Sequence, residues 1–273
     1  DVKTPAKILA VLAQDIDPRI REAVAWNENT PVETLVMLAK DGDETRYAVA
    51  QANVPEEVLI QLASDDYLKV RCAVASNSNT PPFILATLAK DEDIRVRSAV
   101  AENKNTLAEV LAMLAEDESE VVRWAVANNS NTPAEVLAML AKDENRDVRN
   151  AVARNKNTPI EILTVLAQDE NWSVREQVAL NESTTTELLA VLANDDVYDV
   201  RTAVATNGNT SADVLAMLAK DEYIVVRCAV AENENTPKEA LVTLSKDNNE
   251  WVSERAEEAL KERKEKSKTS IER

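Results

Sequence analysis

Histidine is absent from this sequence, and its 273 residues include only two glycines, two cysteines and one phenylalanine. Without histidine the chain lacks the commonest general base and the commonest zinc ligand. Gly42 and Gly208 stand too far apart to build a glycine-rich phosphate loop. Carboxylate pairs are plentiful, but an acidic surface supplies them in any case, so no catalytic constellation, cofactor or metal is expected. Aromatic residues make up 3% of the chain against 45% apolar residues in all. A core of Leu, Val and Ala suits thin stacked helices better than a compact globule. Bases are also scarce, 31 against 49 acids for a formal charge of −18. Nucleic acid and anionic membrane surfaces are therefore poor partners, and a protein or peptide with a basic patch is a better one. No apolar run is long enough to span a bilayer, and Asp1-Val2-Lys3 leads directly into the repeats without a signal segment. Cys72 and Cys228 occupy one slot six repeats apart, on the order of 60 Å by stacking, and are expected as free thiols. Free thiols favour a reducing, cytoplasmic setting.

What the chain does have is one sentence written ten times. The landmark Thr-Pro or its equivalent begins at residues 4, 30, 54, 80, 106, 132, 158, 184, 210 and 236, a spacing of 26 broken once by a two-residue deletion. Within a unit such as Thr132-Pro133-Ala134-Glu135, a threonine N-cap, a proline and a glutamate three residues on predict a first helix of roughly twelve residues. Its apolar stripe is Val136, Leu137, Leu140 and Ala141. A second cap follows the repeat aspartate by two residues, at Asp17, Asp43, Asp93, Ser119, Asn145, Asn171 and Asn249, and opens a shorter second helix. Asparagine closes that helix, from Asn27 and Asn77 to Asn233, and with glycine so rare it is expected to take the left-handed C-terminal conformation. Helices this short are not stable alone, so stacking is obligatory and the fold class is an all-α solenoid of ten two-helix repeats forming a single elongated domain over 1–273. Residues 253–273, polar with Glu and Lys at helical spacing, predict a C-terminal cap that closes the last apolar face.

The phrase VRxAVAxNxNTPxEVLAxLAxD, with small changes at 148–169, resembles the leucine-rich repeat variant family, and its Asp and Val-Arg positions are shared with HEAT repeats. The resemblance covers residues 4 to about 252. It implies a right-handed superhelix of paired helices, the second partly 3₁₀, and a role as a binding scaffold. The N-terminal cysteine cluster that some members carry for an iron–sulfur centre has no counterpart here, so that function is not implied.

Two ladders, Asp15 through Asp247 and Arg21 through Arg227, invite a cation-binding or phosphate-binding reading. Each Asp stands in register with an Arg, however, and stacking sets the rows side by side, where they are expected to satisfy one another. The functional signal is where repeats disagree. Counting from the repeat aspartate as zero, positions 5, 8, 9 and 12 are nearly constant Val, Ala, Val and Asn, whereas 2–4, 7 and 11 vary. Positions 4, 7 and 11 lie opposite the constant ones. Eight of the nine aromatics fall on this variable front. The partner-binding residues expected there are Trp26, Tyr47, Tyr67, Leu68, Ile94, Val121, Trp124, Trp172, Leu180, Tyr198, Tyr223 and Trp251. Glu22, Arg95, Glu102, Arg154 and Glu176 are expected as polar contacts. The sequence thus predicts a non-enzymatic protein- or peptide-binding scaffold, monomer or homodimer. The alternative is a self-assembling array in which the same front meets a second copy. A fixed back with a changing front fits an engineered frame and a natural array of recent duplications equally well.

Overall fold

The structure, a computed structural model, describes residues 4–271, with side chains as far as 265 in the last helix. Residues 1–3 of the lead-in and 272–273 of the expected cap lie outside the described residues. Among the described residues the regular elements are all α-helices, so the second helix is not 3₁₀. The chain divides into two compact units, 1–136 and 137–273. In the first unit the order is α1 (Ala6–Leu12), α2 (Pro18–Ala25), α3 (Val32–Leu38), α4 (Asp43–Gln51), α5 (Glu56–Leu62), α6 (Leu68–Ser76), α7 (Pro82–Leu88), α8 (Ile94–Glu102), α9 (Ala108–Leu114) and α10 (Glu120–Asn128). Helix α11 (Ala134–Leu140) contains the division. The second unit continues with α12 (Arg146–Arg154), α13 (Ile160–Leu166), α14 (Trp172–Leu180), α15 (Thr186–Leu192), α16 (Tyr198–Thr206), α17 (Ala212–Leu218), α18 (Ile224–Glu232), α19 (Lys238–Leu244) and α20 (Glu250–Ile271). The fold is an all-α array of two-helix repeats. Within each unit the second helices of adjacent repeats lie directly against one another, while a first helix packs on the second helices before and after it.

The core follows the repeat. The first helices from α3 to α19 each bury at least two leucines, as Leu137 and Leu140 or Leu163 and Leu166, and most second helices bury the Val at positions 5 and 9, as Val174 and Val178 or Val200 and Val204, often with the Ala at 8, as Ala203. At roughly 1.5–3 kcal/mol per buried aliphatic side chain, this stacking is the main stabilising term.

Three local expectations require correction. The first helices are seven residues long rather than twelve, because the threonine does not cap them. Thr158 turns its hydroxyl backwards and donates to the carbonyl of Val152 at 2.6 Å, as Thr80, Thr106, Thr184 and Thr210 do to Val74, Val100, Val178 and Val204. A last-turn carbonyl of the second helix would otherwise be buried without a donor. The residue after it, Pro159 in this repeat, then stands at the N-cap with no side-chain bond, and Glu109 likewise forms no capping box. Second, Asp17, Asp93, Asn145, Asn171 and Asn249 accept a backbone N–H two residues on, but Ser119 makes no side-chain cap bond. Asp43 is already helical after the deletion, with Gly42 at the N-cap.

Third, the closing asparagines are not left-handed. Asn181 has φ −67° and ψ 126°, and no described residue has positive φ. The side chain explains the choice. Its Nδ2 reaches back one repeat and donates to the carbonyls of Ala153 and Asn155 at 2.7 and 3.1 Å, while Oδ1 accepts the Ser183 N–H at 2.8 Å. Asn77, Asn103 and Asn129 in the first unit and Asn207 and Asn233 in the second repeat the bond to the preceding repeat's alanine carbonyl at 2.6–2.8 Å. A parallel rung joins Asn105 to the carbonyl of Ser78, Asn209 to that of Glu182 and Asn235 to that of Gly208. In the tenth unit the second helix runs on as α20 and has Ala259 at the asparagine position. There Arg263 on α20 donates to the carbonyls of Asn233, Glu234 and Thr236, replacing both missing asparagines with one guanidinium.

The acid–base ladder links repeats in the other direction. Each arginine grips the aspartate of the following repeat with two bonds: Arg21–Asp41, Arg46–Asp65, Arg71–Asp91 and Arg97–Asp117 in the first unit, and Arg149–Asp169, Arg175–Asp195, Arg201–Asp221 and Arg227–Asp247 in the second. Nε donates to Oδ2 of Asp169 at 2.7 Å and Nη2 to Oδ1 at 3.0 Å, while Nη1 donates to the carbonyl of Asp143 in the same repeat at 2.9 Å. The same Asp169 Oδ1 accepts the Asn171 N–H. These eight pairs are therefore structural, and their groups are not free for a ligand.

Burial pushes the Asp169 carboxyl upward, but Arg149 and the Asn171 N–H outweigh it and hold the group below its usual range; Asp117 behaves likewise with Arg97 and the Ser119 N–H. A folded pKa below the unfolded value of about 3.9 means that protons bind the unfolded chain more readily. The stabilisation is complete above that pH and is lost as pH falls through the folded pKa. Asp169→Asn should therefore cost about 1–3 kcal/mol at pH 7, and the gap from the parent should close well below pH 4. Urea titrations at both pH values would show it, and a gap independent of pH would refute the assignment. Asn181→Ala should likewise lower stability by about 1–3 kcal/mol, since two buried carbonyls lose their donor, whereas exposed Asn194→Ala should stay within about 0.5 kcal/mol.

Candidate functional site

Because positions 5, 8 and 9 of the second helix point into the stack, positions 3, 4, 7 and 11 point out of it, and neighbouring second helices align these outward faces within a unit. In the first unit Trp26, immediately after α2, is exposed and meets the half-buried Tyr47 of α4 edge to face, with ring centroids 5.9 Å apart. Tyr47 also lines a shallow groove of 440 Å³ with Gln51, Cys72 and Ser76. Tyr67, half-buried ahead of α6, donates its hydroxyl to Glu44 at 2.8 Å, and Lys69 lies over its ring. Leu68 opens α6 half-buried; Ile94, Val121 and Trp124 on α8 and α10 are exposed.

In the second unit Trp172 and Leu180 stand at the two ends of α14, both exposed. Tyr198, the first residue of α16, stacks on Tyr223 just before α18, with centroids 4.6 Å and planes 16° apart. Arg201 lies under Tyr223 at 5.5 Å while holding Asp221. Trp251 on α20 is the most open of the four tryptophans, which are 37–66% exposed. The twelve residues therefore share the outward side of the second helices but gather into separate groups rather than one cluster. Among the described residues Trp124, Trp172 and Trp251 make no ring–ring contact. Of the polar contacts named above, Glu176 carries a distinctive environment: burial and then the charge of Asp199 raise its carboxyl above the usual range. Cys72 and Cys228 are free and half-buried, and burial pushes both thiols up, away from nucleophilic reactivity. Among the described residues no group of acids and cysteines has the arrangement of a metal site. None of the described helices is long and apolar enough to cross a membrane.

Sequence reasoning overlooked a second apolar row. Met37, Met113, Met139, Val165, Val191 and Met217, at one register of the first helices, are 40–65% exposed. The signal was present: Met139 lies outside the stripe of Val136, Leu137, Leu140 and Ala141, yet its position is apolar in seven of the ten repeats.

The geometry agrees with what known proteins show. A family model described as leucine rich repeat variant matches residues 68–93 and 146–171, two repeats that begin at the first residues of α6 and α12. These two repeats match the leucine-rich repeat variant model. A solved structure described as a leucine-rich repeat variant with a novel repetitive structural motif is 28% identical, covers 85% of this chain and 88% of that one, and has a TM-score of 0.57. An engineered protein is 17% identical over 94% of this chain and 98% of its own, with a TM-score of 0.42. Importin beta is 12% identical over 93% of this chain and 39% of its own, with a TM-score of 0.35. The last two are too distant to bear on function. Comparison with curated proteins finds no match. Helical repeat arrays of this class are in general non-enzymatic and serve as scaffolds, and the repeat fold suggests a protein-binding or scaffold role.

If the exposed rings are not core packing, removing one should cost little. Trp251→Ala is expected to change stability by less than about 1 kcal/mol, whereas Val252→Ala, one residue on and fully buried, should cost on the order of 2 kcal/mol. Equal losses in thermal or urea unfolding would return Trp251 to the core.

Proposed function

We propose that this array binds a protein or peptide partner on the variable face of its second helices, with Trp26, Tyr47, Trp124, Trp172, Tyr198 and Trp251 as anchors. The observation that carries this reading is the exposure of all four tryptophans at the variable positions of the second helices, away from the face those helices bury. Drift of a surface under solvation alone replaces residues mostly with polar ones. Here the outward positions also hold Ile94, Val121, Leu180, Ile224 and Val225, all exposed. Large exposed aromatics contribute most of the energy at protein interfaces and cost least side-chain entropy to immobilise. The absence of histidine and the closed Asp–Arg pairs support a scaffold without chemistry of its own. A partner with a basic patch complements a chain of formal charge −18, which repels nucleic acid and anionic lipid.

The test is a pull-down with the intact chain beside a Trp26, Trp124, Trp172→Ala variant of unchanged circular dichroism. The protein captured by the parent is then purified and titrated against both. Binding weakened by at least about tenfold in the variant is expected. Equal affinity would reject the face.

A further inference from the structure

The front of the seventh to ninth repeats, wholly within the second unit, has a composition unlike a generic binding face. Helix α14 opens with Trp172 and α16 with Tyr198, one register apart by a single repeat, and Tyr198 is stacked on Tyr223. Glu176 follows Trp172 by four residues, so the two share one side of α14, and Asp199 follows Tyr198 directly on the neighbouring helix. Position 7 of one repeat meets position 4 of the next, as Asn150 Nδ2 does with Ser173 Oγ at 3.4 Å one repeat earlier, and Glu176 and Asp199 hold these same two positions; the charge of Asp199 acts on Glu176 accordingly. Across these three repeats the variable positions carry one further acid, Glu232, which Arg255 of α20 holds, and no lysine or arginine. The arginines the repeats do possess, Arg175, Arg201 and Arg227, are each closed on Asp195, Asp221 and Asp247 by the ladder. The front of the first unit differs, for there Arg19, Lys69 and Arg95 answer the acids.

We propose that this part of the front seats an arginine-bearing peptide segment, its guanidinium placed between Glu176 and Asp199 and its methylene stem lying on Trp172 and Tyr198. The inference rests on the binding reading above and names the chemistry it selects. A guanidinium there relieves the repulsion between two carboxylates and gains a ring face as well. The surface already displays the geometry once, in Arg201 against Tyr223 at 5.5 Å. A second copy of this chain is the less suitable occupant, because two fronts rich in carboxylates and poor in cations repel.

The experiment uses the full chain and fluorescence anisotropy with a labelled peptide of alternating arginine and serine, and its glutamate counterpart, at near-physiological ionic strength. The isosteric Glu176→Gln, Asp199→Asn variant is compared with a Glu33→Gln, Glu57→Gln variant on exposed first-helix positions of the first unit, both checked by circular dichroism. The arginine peptide should bind the parent and lose on the order of tenfold in affinity with the first variant alone. No binding to the parent, equal binding of the glutamate peptide, or equal loss in both variants would overturn the seat, the last because it signals general charge attraction. A partner lost from the tryptophan variant but bound at full strength by Glu176→Gln, Asp199→Asn would overturn the seat while leaving the wider face intact. Site-specific loss of the peptide with no partner dependent on the tryptophans would do the reverse.

Discussion

A helix of seven residues does not persist in water, and the repeats here are built on such helices. Each is retained only because the repeats beside it cover its leucines and complete its hydrogen bonds. The dependence is carried by three rungs of different chemistry. Apolar stacking supplies most of the energy, through leucines of the first helix and the Val-Ala-Val set of the second. The asparagine amides tie each repeat to the end of the second helix before it, and the arginines tie each to the aspartate of the repeat after it. A ladder that points both ways fixes register, because shifting one repeat by a residue breaks bonds on both of its sides.

Such coupling reaches only nearest neighbours, and this separates fold from function within every repeat. The residues that hold the stack are the ones that recur: Val at 5, Arg at 6, Ala and Val at 8 and 9, Asn at 12 and the repeat aspartate. The residues between them point outward and enter no rung. Their identity can change from one repeat to the next without a structural consequence, so their composition reports selection for something outside the stack. Exposed tryptophan at four of these places and the lack of any lysine or arginine at them in three successive repeats are the two clearest such reports.

Much of this was legible in the sequence, for reasons that can be stated. The period, the helix pairing and the buried Leu and Val positions follow from hydrophobic spacing alone, and the Asp and Arg rows follow from charge in constant register. The reading failed where a polar side chain had two possible partners. Thr158 has the chemistry of an N-cap, and only the nearby buried carbonyl of Val152 decides that it donates backwards instead. Asn181 has the chemistry of a left-handed terminator, yet it stays extended because two carbonyls of the preceding repeat accept its amide. In both cases the deciding group is supplied by three-dimensional packing, which local propensity does not contain. The methionine row on the first helices escaped for a different reason: the functional reading followed the variable positions of the second helices, and Met139 lies neither there nor on the buried stripe.

The ladder also bears on how a charged partner would meet this surface. An array with 31 basic residues could in principle neutralise its own acids and present a mixed face. Instead the conserved arginines are sequestered, bidentate and half-buried, with the third nitrogen on a backbone carbonyl. Guanidinium groups held in that way cannot swing out to answer carboxylates on the front, since each would abandon three hydrogen bonds and leave an aspartate buried without its partner. The cost of holding the repeats together is thus borne by cations that would otherwise screen the binding face. In the seventh to ninth repeats, where no variable position supplies another cation, the carboxylates of Glu176 and Asp199 are left to attract one from outside.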